Sequence, residues 1–120
     1  MLLATDADWL FDDVVAALGG SHEIYRVREG AAVAGAVTEV VPQLVILDLQ
    51  IGNMGGVATS LLLKQEGRAG RLPEVPILLL LDREADEYLA TQSDADRWVV
   101  KPLNSLALRR AAQELLPKSV

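Results

Sequence analysis

The apolar run Leu44-Val45-Ile46-Leu47 ends on Asp48 and opens a glycine-rich loop, Leu49-Gln50-Ile51-Gly52-Asn53-Met54-Gly55-Gly56. A short, continuous apolar run reads as a strand covered on both faces. In an open parallel sheet, ligands and reactive groups sit just past the carboxyl ends of strands, so Asp48 stands where a carboxylate can be used. Two further acids, Asp6 and Asp8 around Ala7, follow the first apolar run, Leu2 to Thr5. The chain has no cysteine and one histidine, which removes disulfide and thiolate chemistry and argues against a zinc site. The metal chemistry left open is that of a hard cation held by carboxylates.

Composition narrows the classes of function. At 120 residues, with 51% apolar side chains, the chain is one domain, 1–120, long enough to bury a core. Its formal charge of −6 disfavours direct contact with nucleic acid or an anionic membrane, which needs clustered Lys and Arg. Arg109, Arg110 and Lys118 are too few to change that. The start, Met1-Leu2-Leu3-Ala4-Thr5-Asp6, is no secretory signal, and Pro76 to Leu81 is too short to span a bilayer. These readings lead us to expect a soluble, cytoplasmic protein.

The elements that must position the acids follow from periodicity. Leu2 to Thr5 reads as a strand, and Asp8 as the cap of a helix carrying Leu10, Phe11, Val14, Val15 and Leu18, stopped by Gly19-Gly20. His22 to Val27 is a weakly apolar edge strand. Val33, Ala36, Val37, Val40 and Val41 form one helical stripe up to Pro42. Leu44 to Leu47 and Ile77 to Leu81 should be central strands, with a helix from Val57 to Lys64 between them. Ala85 to Thr91 is a short helix and Arg97 to Val100 a strand. Ser105 to Leu116 is a helix capped by Asn104. Five strands alternating with five helices predict a doubly wound parallel sheet.

Taken in order, Pro42-Gln43-Leu44-Val45-Ile46-Leu47-Asp48, Met54-x-Gly56, Val75-Pro76-Ile77 and Lys101-Pro102-Leu103 make the chain resemble a response-regulator receiver domain. The resemblance covers all 120 residues. It implies a flavodoxin-like (βα)5 fold with strand order 2-1-3-4-5, working as a phosphorelay module of a two-component system. In that scheme Asp48 resembles the phosphoacceptor of a histidine kinase, and Lys101 resembles the lysine that neutralises phosphoryl oxygens. A carboxylate is a weak nucleophile that attacks phosphorus only where positive charge absorbs the growing negative charge. The Lys101-Pro102 bond is often cis in the family, which would aim the ammonium at Asp48.

Two positions depart from the family pattern. Ala7 falls where the family has a direct magnesium ligand. Magnesium could still be held by Asp6, Asp48 and the backbone carbonyl of Gln50, more weakly. At the end of the fourth strand the family carries Thr or Ser and then a small residue, whereas this chain has Leu81 and Asp82. Leucine offers a phosphoryl oxygen no hydrogen bond, a contact of about 1.5–3 kcal/mol, and Asp82 adds negative charge beside it. Trp98 matches the aromatic switch position, and with Leu81 behind it a fixed outward indole is expected.

The resulting expectation is an atypical receiver acting through protein–protein interaction, with weak or absent phosphorylation switching at Asp48. It is not expected to be an enzyme. Its partners would be a histidine kinase, a downstream signalling protein, or a second copy docking through the fourth helix, fifth strand and fifth helix. The ending Pro117-Lys118-Ser119-Val120 reads as a free-standing domain, or one cut from a longer protein. One alternative is a conventional magnesium-dependent phosphoacceptor. Another, from a different class, is a haloacid-dehalogenase-like phosphatase using Asp6 as nucleophile and Asp8 as acid/base. Against the latter, Trp9-Leu10 replaces its usual Gly-Thr pair and no acidic pair follows Lys101. Trp9 is expected to be a partly exposed helix-start residue, and His22 a structural one.

Overall fold

The computed structural model describes residues Met1–Pro117; Lys118, Ser119 and Val120, on which part of the chain-end expectation rests, lie outside them. Five strands, β1 (Leu2–Ala4), β2 (Tyr25–Val27), β3 (Val45–Asp48), β4 (Ile77–Leu81) and β5 (Arg97–Val100), alternate with five helices. The helices are α1 (Asp8–Leu18), α2 (Val33–Val40), α3 (Gly56–Arg68), α4 (Glu87–Gln92) and α5 (Ser105–Leu115). All neighbouring strands pair in parallel, in the order β2-β1-β3-β4-β5. This is the doubly wound, flavodoxin-like arrangement expected from the sequence.

The continuous apolar runs are explained by a core on each face. Leu2, Ala4, Val45, Leu47, Ile77, Leu79 and Leu81 pack with Val33 and Val37 of α2, Leu63 of α3 and Ala90 of α4. The intervening Leu3, Ile46, Leu78 and Leu80 point the other way, against Leu10, Val14 and Leu18 of α1 and Leu108, Ala111 and Ala112 of α5. Alternation at period two thus divides one leucine-rich run between two cores. Every residue of β4 is buried as a result.

Local boundaries differ from expectation where a side chain found another partner. Asn104 caps α5 as expected, its Oδ1 accepting from the amides of Leu106 and Ala107 at 2.9 and 3.0 Å. Asp8 does not cap α1. Ala7 holds the N-cap position without a side-chain bond, because the carboxylate of Asp8 turns to two arginines. The edge strand shrinks from His22–Val27 to Tyr25–Val27, since His22 belongs to the turn after α1, its amide bonded to Leu18. The fourth helix opens as a 3-10 turn over Glu84–Asp86 before α4. Among the described residues, no helix is long and apolar enough to cross a membrane.

Candidate functional site

Strand register brings the site together. Ala4 lies opposite Leu47 across β1 and β3, so the next residues, Thr5 and Asp48, stand side by side, and the Thr5 hydroxyl donates to Asp48 Oδ2 at 2.8 Å. Leu81 lies opposite Val100 across β4 and β5, so Asp82 and Lys101 are likewise neighbours. Lys101 Nζ donates to Asp48 Oδ1 at 2.6 Å and to Asp82 Oδ1 at 2.8 Å. The amide of Gln50 donates to Asp48 Oδ1 at 3.1 Å. The Lys101-Pro102 peptide bond is cis. Asp48 is 2% exposed, and the Lys101 side chain 10%.

Burial works against the charge on Lys101, yet the hydrogen bonds and negative charges of Asp48 and Asp82 outweigh it and hold the ammonium above the ordinary lysine value. Burial likewise opposes ionisation of Asp82. The hydrogen bond and the positive charge of Lys101 overcome it, and the carboxyl lies below its ordinary value. Trp9, 53% exposed at the start of α1, sets its ring 5.9 Å from Lys101 Nζ, within cation–π range. One ammonium thus serves two carboxylates and lies over an indole ring.

Close backbone packing fixes the loop that carries this chemistry. A Cβ on Gly56 would lie 2.8 Å from the Asp48 carbonyl oxygen, and one on Gly30 only 1.7 Å from that of Met54. Glycine at these two positions lets α3 and the turn before α2 close on the loop after β3.

Known proteins resemble the chain in both sequence and shape. No protein-family model matches it. It is 32% identical over 105 residues, 86% of its length, to the alkaline phosphatase synthesis transcriptional regulatory protein SphR of Synechococcus elongatus, covering 38% of that protein. It is 29% identical over 107 residues, 87% of its length, to the sensory transduction protein BceR of Bacillus subtilis, covering 44% of it. The chain therefore spans about two fifths of the length of these curated relatives. The signal receiver domain of a signal transduction histidine kinase from Syntrophus aciditrophicus superposes with a TM-score of 0.83 at 22% identity, covering 99% of this chain and 94% of that one. The chain has the fold of a response-regulator receiver domain. Its strand order and its aspartate at the end of β3 are those the resemblance implied.

The divalent cation implied by the receiver resemblance meets a depleted donor set in this arrangement. Both Asp48 oxygens already accept hydrogen bonds, and Ala7, at the direct-ligand position, offers no oxygen beyond its backbone. Asp8 is drawn off to Arg26 and Arg28, at 2.8 and 3.2 Å, and hydrogen bonds from Arg26 first and Arg28 second hold its carboxyl below the ordinary value. The same two arginines occupy the acid that the phosphatase alternative needs as its proton donor. Asp6 is exposed at the rim, its Oδ2 beside Gly52. Gln50 meets Asp48 through its amide. Among the described residues, no three acidic or histidine side chains gather here, so a cation would have at most the two carboxylates and one carbonyl of the expected set. Asp48 and Lys101 meet in one ion pair, while Asp6 is exposed at the rim and makes no ion pair with Lys101.

At the switch positions, Leu81 is fully buried, as expected of an apolar side chain at a strand end. Trp98 is half-buried and packs on the core shared by α2, α3 and α4. The expected outward indole is thus only half realised, because the side chain leaves β5 on the α4 face. Sequence reasoning gave Thr5 no role, and it read Asp82 only as adverse charge. The signal available for both was their position one residue past a strand end.

Proposed function

We propose that this chain is an atypical receiver domain, a signalling module that acts by protein–protein contact, with weak or absent phosphorylation switching at Asp48. The observation that carries this reading is the commitment of Asp48: its oxygens are held by Thr5, Gln50 and Lys101 in a nearly water-free position. Hydrogen bonds to both oxygens in a site closed to water lower the nucleophilicity of the carboxylate. Leu81 withholds the hydroxyl that would reward the product, and the donor set gives magnesium little to bind.

The partners in this reading are a histidine kinase, a downstream signalling protein, or a second copy. Tyr88, Leu89 and Leu106 expose apolar surface on α4 and α5, which flank the β5 edge with its half-buried Trp98. Exposed apolar groups at such an edge are suited to docking. The 2.6 Å contact between Lys101 and Asp48 favours one second reading, a conventional phosphoacceptor receiver. Incubation with magnesium and a small acyl-phosphate donor separates the two. The atypical module shows no aspartyl adduct by intact mass and no spectral change, whereas stoichiometric modification of Asp48 with a global spectral shift establishes the conventional switch.

A further inference from the structure

Asp82 is not used by the chemistry a receiver needs, yet it holds the same ammonium as Asp48. Two of the three Lys101 N–H donors point at carboxylates, at 2.6 Å for Asp48 and 2.8 Å for Asp82. The register of β4 against β5 sets Asp82 there. Its second oxygen, Oδ2, is buried with no partner. A carboxylate with one oxygen unsatisfied stays in such a place because the neighbouring cation holds it there.

We propose that Asp82 is a resident anion, occupying the charge of Lys101 that an incoming phosphoryl-like anion would otherwise claim, so that the site excludes such anions by competition and repulsion. This inference rests on the atypical reading and gives it a cause. The ammonium of Lys101 faces Asp48 and Asp82 together, so the three groups already carry one net negative charge before any ligand arrives. A tetrahedral anion beside Asp48 must meet the Asp82 carboxylate and share a cation that is already divided. Asp82 thereby acts as a positioning residue through Lys101.

The test uses beryllofluoride with magnesium as the probe, with binding followed by fluorine NMR and by the fluorescence of Trp9 and Trp98, on the full chain. Asp82→Asn keeps the shape and removes the charge. Asp82→Ala also removes the hydrogen bond, and Asp82→Glu keeps the charge. Thermal unfolding confirms that each variant is folded. The expected result is at least a tenfold gain in beryllofluoride affinity for Asp82→Asn and Asp82→Ala, with Asp82→Glu behaving as the parent. The gain should vanish when Lys101→Ala is added to Asp82→Asn. Equal affinity in the parent and in both neutral variants, whether measurable or nil, overturns the inference. Tight binding with a global shift in the parent instead overturns the atypical reading, and the ratio between parent and Asp82→Asn still judges Asp82 separately.

Discussion

Thr5 shows how much a single hydroxyl can matter in this site. It is fully buried, its Oγ1 donates to Asp48 Oδ2 at 2.8 Å, and the same oxygen accepts from the amide of Ala7 at 3.1 Å. Thr5→Val keeps the shape, yet it leaves a buried carboxylate oxygen without its donor. Hydrogen bonds to charged groups contribute about 1.5–3 kcal/mol, so the variant should lose about 2 kcal/mol in urea unfolding, with an unchanged slope. A loss near zero would mean that water replaces the hydroxyl and that Asp48 is less enclosed than its surroundings indicate.

Among the elements, the loop after β3 is held by its neighbours rather than by its own turn chemistry. Gly30 and Ala31 donate to the carbonyls of Gly52 and Asn53 at 3.0 and 2.7 Å, and Asn53 Nδ2 donates to Glu29 Oε2 at 2.6 Å. Asn53 and Met54 take left-handed φ values of 50° and 80°, which these contacts offset. Val41, at the end of α2, has φ 49° and is 61% exposed, so nothing packs around it to compensate. A β-branched residue in the left-handed region carries about 1–2 kcal/mol of strain, and glycine is the usual occupant of a helix end of this form. Val41→Gly should therefore raise stability, by about 1 kcal/mol once the greater freedom of glycine in the unfolded chain is included. Chemical denaturation measures it, and a loss of stability would show that the strain is absent.

For the molecule as a whole, acids outnumber bases, and the buried Lys101 cluster ties β3, β4 and β5 together at one end of the sheet. Lys101 titrates above its ordinary 10.5 and Asp82 below its ordinary 3.8. A raised base contributes stability below 10.5 that is lost as pH climbs through the higher folded value, whereas a lowered acid contributes above 3.8 and is lost as pH falls through the lower one. Between those limits the cluster should add no slope to a stability profile. Lys101→Met, which leaves two carboxylates without their cation, should cost about 3 kcal/mol. That gap should hold steady from about pH 5 to about pH 9 in urea unfolding and narrow in acid. A gap that changes through neutrality would place a titrating group in the cluster.

The sequence alone determined the order of elements, the two central strands and the parallel, doubly wound sheet. Continuous apolar runs such as Ile77 to Leu81 have no stable place except between two helical layers. It also marked Asp48 and Lys101, because a charge that ends an apolar run falls at the rim of such a sheet. What surrounds them was decided by tertiary structure. Thr5 and Asp82 reach Asp48 and Lys101 only through the register of strands far apart in the chain, and hydrogen-bonded register leaves no trace in local spacing. Asp8 has good capping chemistry, yet it was claimed by Arg26 and Arg28, cations that β2 and the turn after it bring alongside only when the sheet forms. Residue type set which groups could act, and strand pairing set which of them share a charge.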